Sequence, residues 1–267
     1  MKKIIIAINL LLLTASSVAS AELLIRPRAL LGYTDYKEFT SFLETIPNQS
    51  DTTETSTGRS TYVTGGIGVT IASENYYFDL IYTTSFETTI DFQDTEDGGL
   101  TFEDDFERND LSLTLGKTLN NGLAIYVGYK SAKNTSTFSG DEVDEPSKDI
   151  FKSTGPYIGV AKSVSLKNAS LSFNVAVASL KGKFESTDDT INNLEADNTL
   201  GYSLHITYDH FLTADSGMMI KGSFQQYRYD DFVFDGPFDD PLLLGAQVTF
   251  DREETIIVAE LIYYINF

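Results

Sequence analysis

Apolar and polar side chains alternate along most of the chain, and this period of two is typical of β-strands with two different faces. In residues 200–208 one face carries Leu200, Tyr202, Leu204, Ile206 and Tyr208, and the other carries Gly201, Ser203, His205 and Thr207. The pattern recurs at residues 63–71, 76–86, 111–115, 125–129, 171–177 and 242–250. No helical periodicity of comparable length competes with it, so the sequence predicts an all-β fold.

The connections between these segments are alternately short and long. Short polar links lie at residues 73–75, 120–122, 165–168, 213–216 and 251–254, and long ones at 37–59, 88–105, 135–152, 185–197 and 230–240. A soluble β-sandwich also alternates its faces, but short turns at one end and long loops at the other are typical of a transmembrane barrel. The sequence therefore predicts an antiparallel up-and-down β-barrel with its long loops outside the cell.

Eleven segments qualify as strands, at residues 23–36, 61–72, 76–87, 107–118, 123–134, 154–164, 170–183, 198–210, 217–229, 241–250 and 255–267. Bacterial single-chain barrels have an even number of strands, so this count is wrong by at least one. We favour twelve strands. This number results if residues 218–235 are divided, so that 227–234 form a separate descending strand and 235–240 form a turn. Ten strands follow instead if one terminal segment lies outside the wall.

The first 21 residues have the features of a secretory signal peptide. Two lysines precede an apolar stretch at residues 4–13, and small residues lead to the cleavage site Ala19-Ser20-Ala21. After residue 21 there is no apolar run of about 18 residues, which a spanning helix would need. We therefore expect removal of residues 1–21 and a single domain over residues 22–267, which could cross a membrane only as a closed barrel.

The C-terminal segment, residues 257–267, alternates strictly and ends in an aromatic residue. Counting back from Phe267, every second residue is Ile265, Tyr263, Leu261, Ala259 and Ile257. This segment resembles the C-terminal targeting strand of Gram-negative outer-membrane β-barrel proteins. The resemblance implies a class, not a function. It implies insertion by the barrel-assembly machinery through Phe267, with outer-membrane lipid and lipopolysaccharide as neighbours; an ordinary edge strand that stops at a phenylalanine is the alternative.

Charge and cysteine content exclude several other classes of protein. Without the two lysines of the signal segment, the 19 basic residues become 17 against 39 acidic ones, a net charge of about −22 that repels nucleic acid. Cysteine is absent, which excludes disulfides, a cysteine-based metal site and a lipid anchor on cysteine.

The two histidines, His205 and His210, are the first candidates for catalysis. Ser203 and His205 share one face of a strand, as a nucleophile and its base would. The outer-membrane phospholipase and lipid A deacylase families place the histidine before the serine and turn the pair toward lipid; here the order is reversed and the face is the opposite one. We therefore expect His205 to fill the lumen and His210 to lie near a turn, and we predict no catalytic, cofactor-binding or metal-binding residue.

Acidic clusters in two long links are the second candidates. The clusters consist of Asp91, Asp94, Glu96, Asp97, Glu103, Asp104 and Asp105, and of Asp141, Glu142, Asp144 and Glu145. Dense carboxylates can bind Ca²⁺ or Mg²⁺, but the spacing does not fit an EF-hand loop. Solvated loops are the simpler interpretation, with loosely held divalent cations as the alternative.

The polar faces of the strands leave two functions open. They carry both charges, Arg26, Arg28, Arg108, Lys130 and Lys221 beside Asp79, Glu87, Asp110, Asp209 and Glu260. Bulky inward residues (Tyr62, Tyr77, Tyr126, Met219) argue for a filled lumen, and small ones (Gly66, Gly68, Gly116, Gly128, Gly159) argue for space. The sequence favours a small channel for small solutes, with cations attracted by the acidic loops, and the alternative is a structural or loop-binding, adhesin-like barrel without transport.

Overall fold

The computed structural model describes residues 23–45, 52–94, 101–138, 147–187, 194–235 and 247–267. The predicted signal peptide lies outside these residues. Within them, no helix is long and apolar enough to span a membrane.

The described chain consists of eleven strands and one short 3-10 turn, Asn120–Gly122. The strands are β1 Leu24–Thr45, β2 Thr52–Ala72, β3 Tyr76–Ser85, β4 Thr88–Asp94, β5 Thr101–Thr118, β6 Leu123–Phe138, β7 Ser147–Ser165, β8 Ala169–Ser186, β9 Leu194–Phe211, β10 Ser216–Asp235 and β11 Gln247–Ile265.

These strands form one closed antiparallel sheet. Strands that follow each other in sequence pair, except β3 and β4, and β1 pairs with both β2 and β11, which closes the cylinder. Strands β3 and β4 both lie between β2 and β5, so they are one wall strand interrupted at Phe86 and Glu87. The eleven strands therefore occupy ten wall positions. The predicted fold class is confirmed, and of the two strand numbers that the sequence allowed the described chain has ten.

Two assignments made from the sequence are wrong. Residues 251–254 are not a turn but the middle of β11, and β10 is one strand rather than two. Four consecutive polar residues mimic a turn in the sequence. In the barrel Arg252 and Glu254 point inward, where they are buried and bound to each other, while Asp251 and Glu253 alternate with them. Joining the last two strand candidates restores the even number.

The start of β1 and the end of the chain after β11 meet at the same end of the barrel as the short turns. The Ile25 N–H donates to the Phe267 carbonyl at 3.0 Å, and the Phe267 N–H donates to the Ile25 carbonyl at 2.9 Å. In the turn between β5 and β6, Asn121 and Gly122 have positive φ, a conformation that asparagine and glycine tolerate best. This arrangement is the one expected of an outer-membrane barrel, whose short turns and termini lie on the periplasmic side.

A belt of large apolar side chains surrounds the barrel on its outer surface. Ile67, Ile158 and Ile220 are each more than 60% exposed. Burying such a side chain away from water is worth about 1.5–3 kcal/mol, so the belt fits lipid rather than water. We call it the apolar band; it also includes Leu31, Tyr33, Val63, Leu113, Leu115, Ile125, Val127, Tyr129, Val160, Val175, Val177, Tyr202, Leu204, Ile206, Leu261 and Tyr263.

The strands continue well beyond the apolar band. Strand β1 has 22 residues and β2 has 21, whereas about 9–11 suffice to cross a membrane. The part of the barrel inside the band is here called the membrane section. The part beyond Tyr33, Tyr129 and Tyr202, away from the short turns, is the protruding section. Most of the residues predicted as long loops are therefore parts of strands. These segments can form strands because outward charged residues alternate in them with inward aromatic residues.

The barrel interior as the candidate functional site

The membrane section contains a cavity of about 360 Å³ lined by both polar and apolar side chains, most of them polar. Its charges form ion pairs between strands, some of them adjacent and some farther apart in the sheet. Arg28 contacts Asp79, Lys221 lies 2.6 Å from Glu260, and Lys130 lies 3.4 Å from Asp110. Arg26 and Asp209 pair at 3.9 Å nearer the short turns. Of the charges predicted to face inward, only Glu87 is exposed, at the interruption between β3 and β4. The wall of the cavity is therefore close to neutral.

Tyrosine rings in the membrane section, and one just beyond it, lie over glycines of the adjacent strand. A Cβ atom at any of these glycines would overlap the tyrosine beside it. The pairs are Tyr77 with Gly116, Tyr126 with Gly159, Tyr157 with Gly128, Tyr227 with Gly201 and Tyr264 with Gly217. In the sequence, bulky inward residues argued for a filled lumen and small ones argued for space. In the structure, the small residues accommodate the bulky ones. The rings lie along the wall, and the cavity remains between them.

A hydrogen-bonded network of buried side chains crosses the interior of the protruding section. Tyr36 and Glu254 are both 0% exposed, with the hydroxyl of Tyr36 2.8 Å from Oε1 of Glu254. Arg252 donates to Oε2 of Glu38 at 2.7 Å and to Oε1 of Glu254 at 3.2 Å. From β6, Asn134 donates to the same Glu254 oxygen at 2.7 Å. We call these five residues, together with Arg108, the outer network.

An aromatic layer packs against the outer network. The rings of Phe232 and Phe250 are stacked with centroids 4.4 Å apart, and Phe151 meets Tyr229 edge-on at 4.8 Å. The guanidinium of Arg252 lies 4.1 Å above the Phe151 ring. The hydrophobic cluster around these rings draws residues from nine of the ten wall positions, and Asn134 of β6 supplies the tenth. Side chains from all ten wall positions therefore meet inside the protruding section. The outer network and this cluster are together called the outer cluster.

Burial and neighbouring charges perturb the carboxyl groups of the protruding section. Burial raises the pKa of Glu38. Burial would do the same to Glu254, but Arg108 and Arg252 hold its pKa below the usual range. The pKa of Asp104 is raised to about 6 by burial and by the nearby Asp149, Glu38 and Asp105. Glu254 is therefore the anion that the two arginines enclose.

The structure places the two histidines apart, His205 in the cavity and His210 near the short turns. His205 and Ser203 both line the cavity, and Nδ1 of His205 has no hydrogen-bond partner among the described residues. His210 is exposed near the short turns, and its ring lies 6.3 Å from that of Tyr208. The placement of His205 in the lumen agrees with the sequence-based expectation.

The acidic clusters divide between the two faces of the wall. Asp91, Glu103 and Asp105 are exposed on the outer surface, whereas Asp104 points inward and is 7% exposed. The side chain of Asp94 and residues 96, 97 and 141–145 lie outside the described part. Among the described residues, no group of three or more acidic or histidine side chains is arranged to hold a metal ion.

The outer network is the feature that the sequence analysis missed. Arg252 and Glu254 were assigned to a turn, and Glu38 to a loop. The sequence did contain a signal for it. Every second residue of this part of β11 is Phe250, Arg252, Glu254 and Ile256, and Tyr36 and Glu38 alternate in the same way in β1. Extending the alternation through the charged residues would have placed all six side chains inside the barrel.

Comparison with known proteins identifies the architecture and not a family. No family model and no curated protein matches the chain. The crystal structure of the outer-membrane protease OmpT from Escherichia coli is similar, with a TM-score of 0.64 and 13% identity over 93% of this chain and all of that chain. This chain has the fold of an outer-membrane β-barrel.

Two further solved barrels are more distant. OprG from Pseudomonas aeruginosa has a TM-score of 0.46 and 11% identity, over 92% of this chain and 97% of that one. The translocator domain of the autotransporter NalP from Neisseria meningitidis has a TM-score of 0.41 and 9% identity, over 100% of this chain and 96% of that one. At these identities the likeness concerns the fold and not the activity.

Proposed function

We propose that this chain is exported, loses residues 1–21, and serves in the bacterial outer membrane as a barrel with a sealed lumen, in a structural or surface-presenting role. The outer cluster is the observation that carries the proposal. It places Tyr36, Tyr229 and Phe232, each 0% exposed, across the interior between the outer mouth and the cavity. Of the two functions left open by the sequence, this packing favours the one without transport.

The outer cluster would have to come apart before an ion could pass. A path along the axis would separate Arg252 from Glu38 and Glu254, which bind it at 2.7 and 3.2 Å. Breaking a buried ion pair by removing one partner typically costs about 3–5 kcal/mol, because the remaining charge is left uncompensated. Apart from the Tyr229 hydroxyl, the rings of the aromatic layer offer no polar groups to replace the lost hydration of an ion. The sealed state is therefore the stable one.

The acidic outer surface fits a presenting role. Asp91, Glu103 and Asp105 are exposed on the protruding section, and the chain has a formal net charge of −20. Rigid strands carry these charges away from the apolar band, where they would repel anions and attract cationic partners or divalent cations. Phe267, 73% exposed beside β1, is the residue that we expect the barrel-assembly machinery to recognise.

Conductance in planar lipid bilayers tests the proposal. The native barrel should give no unit conductance steps in KCl. A variant with Tyr229→Ala and Phe232→Ala opens the aromatic layer and should conduct. The matched control, Phe173→Ala with Phe224→Ala, removes two rings from the outer face without touching the outer cluster, and it should stay silent.

Each variant is first checked for folding by its heat-modifiable mobility on gels. Regular conductance steps from the native barrel that scale with KCl concentration would overturn the proposal and restore the channel interpretation. In that case the reversal potential in a KCl gradient would report whether cations are favoured. A folded Tyr229→Ala, Phe232→Ala variant that stays silent would show that the outer cluster is not the seal.

A further inference from the structure

A row of inward side chains runs around one half of the cavity in the membrane section. Ser223 of β10 pairs in register with His205 of β9 and with Val258 of β11. Val258 pairs with Thr34 of β1, and Thr34 pairs with Tyr62 of β2. All five side chains line the cavity. We call these five residues, which come from five of the ten wall positions, the interior row.

Four members of the interior row carry a buried polar atom that has no hydrogen-bond partner among the described residues. The atoms are Oγ of Ser223, Oγ1 of Thr34, the hydroxyl oxygen of Tyr62 and Nδ1 of His205. Buried polar groups in proteins are nearly always hydrogen-bonded, and leaving one without a partner destabilises the fold. The interior row therefore has a hydrogen-bonding capacity that the described part of the protein does not use.

The spacing of the interior row suits one molecule with several polar groups. Side chains opposite each other on adjacent strands have Cβ atoms about 4.5–5.5 Å apart, as His205 and Ser223 do in this register. One bound molecule can therefore reach more than one member of the row. Hydroxyl groups both donate and accept hydrogen bonds, so they can satisfy serine, threonine, tyrosine and histidine alike.

The charges around the cavity exclude an ionic ligand. Each acidic side chain that lines the cavity is already part of an ion pair. The pairs are Arg28 with Asp79, Lys221 with Glu260, and Asp110 with both Lys130 and Arg108. A charged molecule would have to separate one of these pairs, which costs more than the new contact returns. The molecule that fits is therefore uncharged.

Apolar surface and size narrow the class further. Met219, Ile262 and Ile81 line the cavity, together with the rings of Tyr77 and Tyr157. Small-molecule sites combine such apolar and aromatic walls with a few polar groups, and they measure about 300–1,000 Å³. The cavity, at about 360 Å³, lies at the small end of this range. A small cyclic polyol has both the peripheral hydroxyl groups and the apolar C–H faces that these walls require.

We propose that the cavity of the membrane section binds one small uncharged polyol of the size of a monosaccharide. Its hydroxyl groups complete the hydrogen bonds of Ser223, Thr34, Tyr62 and His205, and its C–H faces lie against the apolar and tyrosine side chains. The site lies inside the wall and below the outer cluster, so it adds a ligand to the structural role proposed above without depending on that role.

The test is equilibrium dialysis of labelled D-glucose and labelled myo-inositol against the full-length barrel in a detergent without a sugar headgroup. The barrel is folded in the presence of the probe, so that occupancy does not depend on how fast a solute reaches the cavity. The native barrel should bind at least one of the probes saturably, with one molecule per barrel. Thr34→Val with Ser223→Ala removes two hydroxyl groups and should weaken this binding about tenfold, because each lost hydrogen bond is worth a factor of about three or more.

Thr199→Val is the matched control. Thr199 is also buried and inward, and its Oγ1 also has no hydrogen-bond partner among the described residues, but it does not line the cavity. This variant should bind the probe as the native barrel does. Each variant is checked for folding by its heat-modifiable mobility, and Ser223→Ala alone replaces the double variant if that one does not fold.

Charged analogues complete the test. Glucuronate and glucosamine carry one charge on a similar ring and should bind about tenfold more weakly than glucose or not at all. The proposal is overturned if neither neutral probe binds the native barrel saturably, if Thr199→Val loses as much affinity as the cavity variant, or if the charged analogues bind as tightly as the neutral probes. Dialysis measures occupancy at equilibrium, so none of these outcomes depends on whether the lumen conducts.

Discussion

The membrane section and the protruding section are built from the same ten wall strands, yet they place opposite kinds of residue inside. In the membrane section of β10, Lys221 points into the cavity and Ile220 faces outward, 61% exposed. Farther along the same strand, Tyr229 and Phe232 point inward and are fully buried, while Arg228 is exposed. The two faces of the strand exchange polarity as it leaves the apolar band.

The medium around the barrel explains this exchange. Lipid surrounds the membrane section, so its outer face is apolar and its polar groups turn inward. Water surrounds the protruding section, which therefore forms a core like that of a soluble protein. Both sections hold charges inside, but those of the membrane section border a cavity large enough for water, whereas Glu254 is enclosed by protein. An equivalent substitution should therefore lower the free energy of unfolding more in the protruding section than in the membrane section.

The largest expected effect tests that difference directly. Glu254→Gln removes the anion that Arg108 and Arg252 enclose, and we expect it to lower the free energy of unfolding by about 3–5 kcal/mol. Glu260→Gln removes the partner of Lys221 beside the cavity, and it should cost only about 1 kcal/mol. The measurement is urea unfolding of the barrel in lipid vesicles, followed by circular dichroism because the chain has no tryptophan. Equal costs for the two variants would remove the distinction between the sections.

The second prediction concerns the packing of the membrane section. Gly159→Ala would place a methyl group against the ring of Tyr126, so we expect a loss of about 1–3 kcal/mol in the same assay. Gly222→Ala is the matched control, because a Cβ atom there meets no atom within 4 Å. Adding Tyr126→Ala should remove the clash, so the double variant should cost less than the two single variants together. Strict additivity would contradict the proposed contact.

The smallest expected effect depends on pH and compares the two faces of β5. The pKa of Asp104 is raised to about 6 in the folded barrel by burial and by Asp149, Glu38 and Asp105, against about 3.9 in an unfolded chain. The folded state therefore holds the proton more tightly, and its stability falls as pH rises from about 4 to about 6. Asp104→Asn should raise stability at pH 7 by about 1 kcal/mol and flatten this dependence.

Glu103 provides the control for that measurement, because it is adjacent in sequence, exposed on the outer surface and not among the charges that raise the pKa of Asp104. Glu103→Gln should leave both the stability at pH 7 and its pH dependence close to those of the native barrel. Urea unfolding at pH 4, 6 and 7 gives both quantities. A pH dependence that survives Asp104→Asn unchanged would assign it to another group.

Much of the architecture followed from the chain alone. Alternation predicted which residues of β9 face lipid and which face the lumen, and the described exposures of Leu204 and Ile206 against His205 agree with it. The prediction of a closed barrel with an even number of strands was right. The count of eleven arose because Asp251 to Glu254 were interpreted as a turn, and twelve was favoured because residues 218–235 were then divided to make the number even.

The sequence by itself determined the class of fold, the facing of the strands in the membrane section and the absence of a spanning helix. These properties are local, since each strand must present one face to lipid and the other to the interior. Only the tertiary structure decided which buried aromatic and charged side chains meet inside the protruding section. That result depends on Tyr36 and Arg108 meeting Glu254 across distances of more than a hundred residues along the chain, which no local pattern encodes. The row of Lys133, Lys152 and Lys183 likewise exists only because the register of β6, β7 and β8 brings these residues side by side.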